Sequence, residues 1–182
     1  IGPNALANQS YNGSSYNVAI GHDTGRQITS GIKNTLVGGN AGDALTTGNY
    51  NVALGYHALS TEDGHGANTA IGYQALKDQN AGVDAYNVAV GYEAGKEVTS
   101  GFQNTLIGGL AGDALTTGTS NVALGYSALS TEDTHGYNTA IGAQALQNLN
   151  AGTNAYNVAV GSGAGLSVTT GIQNTIIGAQ AG

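Results

Sequence analysis

Charged side chains able to do chemistry are sparse in this sequence, and their one cluster occurs twice. Ser60-Thr61-Glu62-Asp63-Gly64-His65 gathers two carboxylates and an imidazole, and the same order returns as Ser130-Thr131-Glu132-Asp133-Thr134-His135. Glu, Asp and His all ligate divalent cations, so Glu62, Asp63, His65, Glu132, Asp133 and His135 form the candidate metal set. No cysteine and no further fixed ligand stands beside them. Charge runs of this kind ordinarily keep a surface loop in water, and a solvated outer loop is the role expected of both. His22 and His57 have Tyr or Ser at the equivalent places of other repeat units and read as incidental.

Other reaction chemistries fail at the level of spacing. Gly125-Tyr126-Ser127-Ala128 continues into Leu129, not into the Gly of a nucleophile elbow. Gly108-Gly109-Leu110-Ala111-Gly112 lacks the Lys-Ser/Thr that completes a phosphate loop. No EF-hand or Gly-Gly-x-Gly-x-Asp calcium repeat is present, and the acids lie mainly between the apolar segments, not clustered on one strand as polysaccharide cleavage needs. The expectation is a protein that is not an enzyme and needs no cofactor.

The chain of 182 residues carries 31 Gly, one Pro and no Cys, Met or Trp, and only 8% of it is charged. Any core must be thin and regular, since large aromatics are scarce. The net charge of −7 and four scattered cations (Arg26, Lys33, Lys77, Lys96) oppose a phosphate backbone, so nucleic acid is excluded as a partner. No segment approaches the roughly 20 apolar residues of a membrane span, so no membrane insertion is expected.

What positions the reactive residues is a repeat. Units open at Asn17, Asn34, Asn51, Asn68, Asn87, Asn104, Asn121, Asn138, Asn157 and Asn174, with spacings of 17, 17, 17 and 19 that sum to a superperiod of 70. Each reads N-[VT]-[ALI]-[ILV]-G, and the Gly falls at Gly21, Gly38, Gly55, Gly72, Gly91, Gly108, Gly125, Gly142, Gly161 and Gly178. Alternation of period two over the first positions predicts a short strand. The Asn suits an Asx-type turn and, stacked in register, an amide ladder; the Gly suits a sharp change of direction.

A unit of 17 to 19 residues is one coil of an all-β solenoid, a parallel β-roll, and ten to eleven coils at roughly 4.7–4.9 Å would span on the order of 50 Å. Residues 1–182 form one continuous array with no internal boundary, and neither end reads as a polar cap, which predicts an excerpt of a longer fibre. The column of Ile20, Val37, Leu54 and Ile71 is expected to fill the core. Ala70, Ala75 and the other small residues are expected to allow close packing between identical chains around a shared axis. Ten Tyr fall just after the Gly (Tyr56, Tyr73, Tyr92, Tyr126) or just before the Asn (Tyr50, Tyr86, Tyr137, Tyr156), among other places. They either stack against sugars or, as expected here, shield the coil edges.

NTAIGYQAL (68–76), NVALGYHAL (51–59) and NTLIGGLAG (104–112) resemble the NTA-[VI]-GYQAL repeats of phage tail fibres. They are also similar to repeats of bacterial surface proteins that end in an endosialidase-type chaperone domain and, more remotely, to the N-S-V-A-I-G repeats of YadA-like trimeric autotransporter adhesin heads. The resemblance implies a left-handed, parallel, homotrimeric roll outside the cell, as a virion appendage or on a cell surface. The function expected is a shaft or adhesive segment with weak multivalent binding of host glycans. The alternative from another class is a single-chain ligand-binding solenoid such as an ice-binding protein, with Thr46-Thr47, Thr116-Thr117 and Thr169-Thr170 lining a flat face.

Overall fold

A computed structural model describes residues 2–132 and 134–182. Among the described residues the chain forms ten three-residue strands: β1 (Val18–Ile20), β2 (Thr35–Val37), β3 (Val52–Leu54), β4 (Thr69–Ile71), β5 (Val88–Val90), β6 (Thr105–Ile107), β7 (Val122–Leu124), β8 (Thr139–Ile141), β9 (Val158–Val160) and β10 (Thr175–Ile177). They pair in parallel, each with the next in sequence, as one sheet in the order β1 to β10. Val18 lies against Thr35 and Thr69 against Val88, so the register repeats every 17 residues and stretches to 19 where the unit does. This is a β-solenoid of about nine turns. No helix among the described residues is long and apolar enough to cross a membrane.

The second wall of each coil is a stack of turns. Gly25 N–H donates to Ala41 O at 3.0 Å, Gly42 to Ala58 at 3.0 Å and Leu59 to Ala75 at 3.0 Å, a backbone ladder running parallel to the strands. Two corners per coil bring the chain round, each at a residue of positive φ: Asn40 (+57°) and Tyr50 (+60°) in one coil, His57 (+54°) and Ala67 (+60°) in the next. The two residues by which the longer coils exceed the others go into an outward bulge, where a Cβ on Gly82 or Gly152 would meet nothing within 4 Å.

Which face of the strand points inward differs from expectation. The middle residue of every strand from β2 to β9 (Leu36, Ala53, Ala70, Ala89 and Leu106 among them) is fully buried, whereas Ile20 and Leu54 are 47% and 44% exposed. The core therefore lies inside each coil, lined by the Ala/Leu strand column and by Ala41, Ala58 and Ala75 from the opposite wall. The small residues that were expected to pack between chains close the individual coil instead. Asn and Gly flank the middle residue two positions away on either side, so all three share one side of the pleat, and the Val/Thr and Ile/Val/Leu columns turn outward.

The asparagines do more than shape turns. Asn104 is fully buried, its Oδ1 accepts the backbone N–H of Asn121 at 2.9 Å, and its Nδ2 donates to Gly118 O at 2.9 Å. One side chain thus ties its coil to the next and braces the far end of its own. The same pair of bonds recurs at Asn17, Asn34 and Asn87. The expected amide-to-amide ladder is largely replaced by this side-chain-to-backbone stitch. Among the described residues, direct amide contact joins Asn34 to Asn17 (3.3 Å) and Asn174 to Asn157 (3.0 Å).

Truncating the stitch leaves Asn121 N–H and Gly118 O buried without partners, each costing about 1–3 kcal/mol. Asn104→Ala is therefore expected to lower unfolding free energy by about 3 kcal/mol in urea titration, with the exposed Asn148→Ala changing it by less than about 0.5 kcal/mol. Gly91 has φ +144°, and a Cβ there would sit 2.5 Å from Gly108 O. Gly91→Ala should cost about 3 kcal/mol or more. Gly82→Ala, at φ +71° with open space around it, should cost only about 1 kcal/mol by the same measurement.

Candidate functional site

The outward side of the sheet is built from two columns. The first strand position alternates strictly between Val and Thr from Val18 to Thr175, and the third is always Ile, Val or Leu from Ile20 to Ile177. None of these twenty positions is charged or amidic. Val18, Ile20, Leu54, Leu124 and Ile177 are all more than 40% exposed, Thr35 and Thr175 are exposed as well, and the remaining positions are half-buried. A sheet face meant for water alternates with charged residues, and sheet proteins blunt exposed apolar edges with Lys. This face does neither.

Tyrosines border it on both sides. Tyr56, Tyr73 and Tyr92 follow the glycines and stack face to face, with centroids 5.8 and 5.2 Å apart and planes within 17° and 7°. The ladder is broken at Gly109 and resumes at Tyr126. On the other side Tyr137 stacks on Tyr156 at 4.9 Å, and Lys33 lies 5.0 Å over the ring of Tyr50. Tyr56, Tyr73, Tyr92 and Tyr126 are 41–58% exposed, so they form open aromatic rails and not the shielding expected of them. In-register stacking follows directly from the parallel pairing, which puts each Tyr one strand spacing from the next.

The acidic cluster is also placed otherwise than expected. Glu62 and Glu132 are fully buried and lie in the core, not in solvated loops. The eleventh residue after each opening Asn is a core position, occupied by Ile28, Leu45, Val98, Leu115 and Leu149 in other coils and by Glu62, Gln79 and Glu132 in three. Glu62 Oε1 accepts the His65 N–H at 3.1 Å, and His65 Nδ1 lies 3.7 Å from that oxygen. Burial pushes the Glu62 carboxyl above its ordinary pKa, against hydrogen bonding to the His65 backbone. Glu132 Oε1 accepts His135 N–H at 3.2 Å and stands 3.1 Å from His135 Nδ1. Asp63 is exposed, and Asp133 lies outside the described residues.

Of the threonines of the alternative reading, Thr46, Thr47 and Thr117 are committed to the stack. Thr46 Oγ1 donates to Asp63 O at 2.8 Å, and Thr47 Oγ1 to Gly64 O at 3.2 Å. Their hydroxyl protons serve the inter-coil ladder. The feature missed in the sequence is the apolar outward face. Its signal was the absence of charge over twenty positions, which reads identically whether the column is core or surface.

Comparison with protein-family models, curated proteins and solved structures finds no match in any of the three. The site therefore rests on its own geometry: an apolar strip one coil high per rung, railed by tyrosine, with buried acids on the opposite turns.

Asp43 and Asp113 stand at equivalent places, each with a buried Oδ1 lacking a partner. Burial raises both carboxyl pKa values; His57 and Arg26 partly offset this at Asp43, and Glu97 and Glu93 add to it at Asp113. A raised acid binds its proton more readily folded than unfolded, so its contribution to stability is greatest below the ordinary value of about 4 and is lost as pH rises through the raised value. Melting temperature should accordingly fall from pH 4 toward 7 in the wild type. Asp43→Asn with Asp113→Asn should flatten that fall and melt higher at pH 7.

Proposed function

We propose that this chain is a shaft segment of an extracellular fibre, a phage tail fibre or cell-surface adhesin, in which three parallel copies pack their strand faces about a common axis. The observation that carries this reading is the uncharged outward face. Ten strands at about 4.8 Å and three residues at about 3.3 Å give a strip of roughly 450–500 Å². That equals the largest apolar patches of ordinary monomers, and the flanking tyrosines bring it toward the roughly 800 Å² per partner of a stable interface. Parallel copies in register set like column against like, so every rung contributes equally and closed symmetry leaves no strip uncovered. Three copies and a left-handed roll are what the resemblance of NTAIGYQAL-type units to trimeric fibre repeats supplies.

The function is mechanical. Inter-coil backbone bonds, the asparagine stitch and an interlocked trimer core resist bending, so a binding tip is held away from its anchor. The outer turns, which an interface on the strand face leaves open, repeat along the rod, and that repetition lets individually weak contacts to host glycans act together.

Sedimentation velocity tests the assembly. The purified chain should run as three copies, and Leu54→Asp with Leu124→Asp should run as one with unchanged far-UV circular dichroism, since both side chains point outward. Ala53→Asp, pointing inward, should lose the dichroism instead. A wild-type chain that stays monomeric at tens of micromolar sinks the fibre reading.

A further inference from the structure

The outer turn of the third coil carries a buried carboxylate that the fold leaves half used. Glu62 is fully buried where other coils place an aliphatic side chain; its Oε1 takes one backbone N–H and its Oε2 has no partner. His65 Nδ1 is likewise buried and unpartnered, 3.7 Å from Glu62 Oε1, which is too long for a hydrogen bond. Among the described residues no Lys or Arg pairs with Glu62; Lys77, on the next coil, pairs with Asp78 at 3.0 Å. Asp63 completes the group, with one ligand atom from each of the three residues lying within 4.8 Å of the others.

We propose that Glu62, Asp63 and His65 form a binding site for a divalent transition cation of the zinc class. Two donors at about 2.1 Å from a tetrahedral ion stand about 3.4 Å apart, so the Glu62–His65 separation needs to close only slightly. The exposed Asp63 carboxylate is free to swing in. A carboxylate–carboxylate–imidazole set suits zinc and its neighbours, whereas calcium and magnesium take all-oxygen shells of six or more ligands. The turn is held before any ion arrives. Thr61 N–H donates to Lys77 O, Asp63 O accepts from Thr46 N–H and Oγ1, His65 O accepts from Asn51 Nδ2, and Gly66 N–H donates to Asp84 Oδ1. Neighbouring coils on both sides thus fix the backbone of the ligands, which lowers the ordering cost of binding. The ion neutralises a buried charge and gives the orphaned His65 Nδ1 a partner. The sister turn 70 residues on is already closed, with His135 Nδ1 at 3.1 Å from Glu132 Oε1 and Ala151 N–H donating to Glu132 Oε2 at 3.4 Å.

The test is zinc titration of the whole chain at pH 7.5, by calorimetry and against a chromophoric chelator, with melting temperature read in parallel. The wild type should bind zinc at micromolar concentration and melt higher with it. His65→Ala, at a part-exposed position, should fold normally, lack one ion that the wild type holds and lose the thermal gain. Asp63→Asn should bind at least tenfold more weakly. His22→Ala with His57→Ala should bind as the wild type does. No micromolar zinc binding by the wild type, equal stoichiometry and affinity in His65→Ala, or loss in the His22/His57 variant in place of it each overturns the proposal.

Discussion

The asparagine that opens every coil, fully buried from Asn34 to Asn157, makes the interaction the rest of the molecule depends on. A three-residue strand offers too few ladder bonds to hold its register, and its neighbours on either side are corners at positive φ that would fray alone. The Asn carboxamide has a donor and an acceptor on opposite ends of one rigid plane, so it serves the next coil with one and its own far end with the other. Asp would lack the donor and carry a charge into the core, and Leu would satisfy neither. The two 19-residue coils show the dependence from the other side. Asn138 Nδ2 reaches Gly136 O at 3.3 Å and Asn68 Nδ2 finds no partner, because the bulge at Gly82 and Gly152 carries away the carbonyl used elsewhere.

Around that spine the core is filled by exchange of volume, not by a fixed residue at each place. In the second coil Leu36 and Leu45 are bulky, and Gly42 between them would place a Cβ 2.8 Å from Leu45 Cδ1 and 3.0 Å from Leu36 Cδ2. In the third the strand residue is Ala53 and the Gly position holds Leu59, at φ +51° where Gly25 has +57°. A left-handed Leu costs about 1–2 kcal/mol, and filling space that Ala53 leaves empty offsets it. Gly95 is likewise squeezed by Leu106 and Leu76 of the adjacent coils, so the packing is shared along the axis and no coil has a core of its own.

The same exchange explains where chemistry enters a scaffold otherwise made of Ala, Leu and Asn. Substituting an aliphatic by Glu62 or Gln79 at the eleventh position introduces polar atoms into the core without altering the backbone. Gln79 Oε1 is at once used by Asn87 Nδ2 at 2.8 Å. Glu62 finds only half its complement: its Oε1 takes the His65 N–H and its Oε2 has no partner. Structure and specificity are thereby separated: the strand face keeps one pattern on every rung and the Asn side-chain oxygen bonds the next coil throughout, while the outer turns carry most of what differs between rungs.

Much of this was legible in the sequence. The 17/17/17/19 rhythm, the strand at each Val/Thr-x-aliphatic triplet, the parallel register and the Gly that must take positive φ are all local or periodic properties, and the chain states them ten times. The side of the strand that faces in was not, because Ala53 and Leu54 are both apolar and a two-residue alternation between apolar columns has no sign. Only the corners decide it, by folding the small column with Asn51 and Gly55 toward the turn wall and leaving Leu54 outside. Burial of Glu62 escaped for the same reason: its neighbours Thr61 and Asp63 are exposed, and the eleventh position becomes core only when coil lies on coil. Period and element type belong to the sequence alone. Inside and outside belong to the stack, since burial depends on residues 17 apart that meet only when the chain is wound.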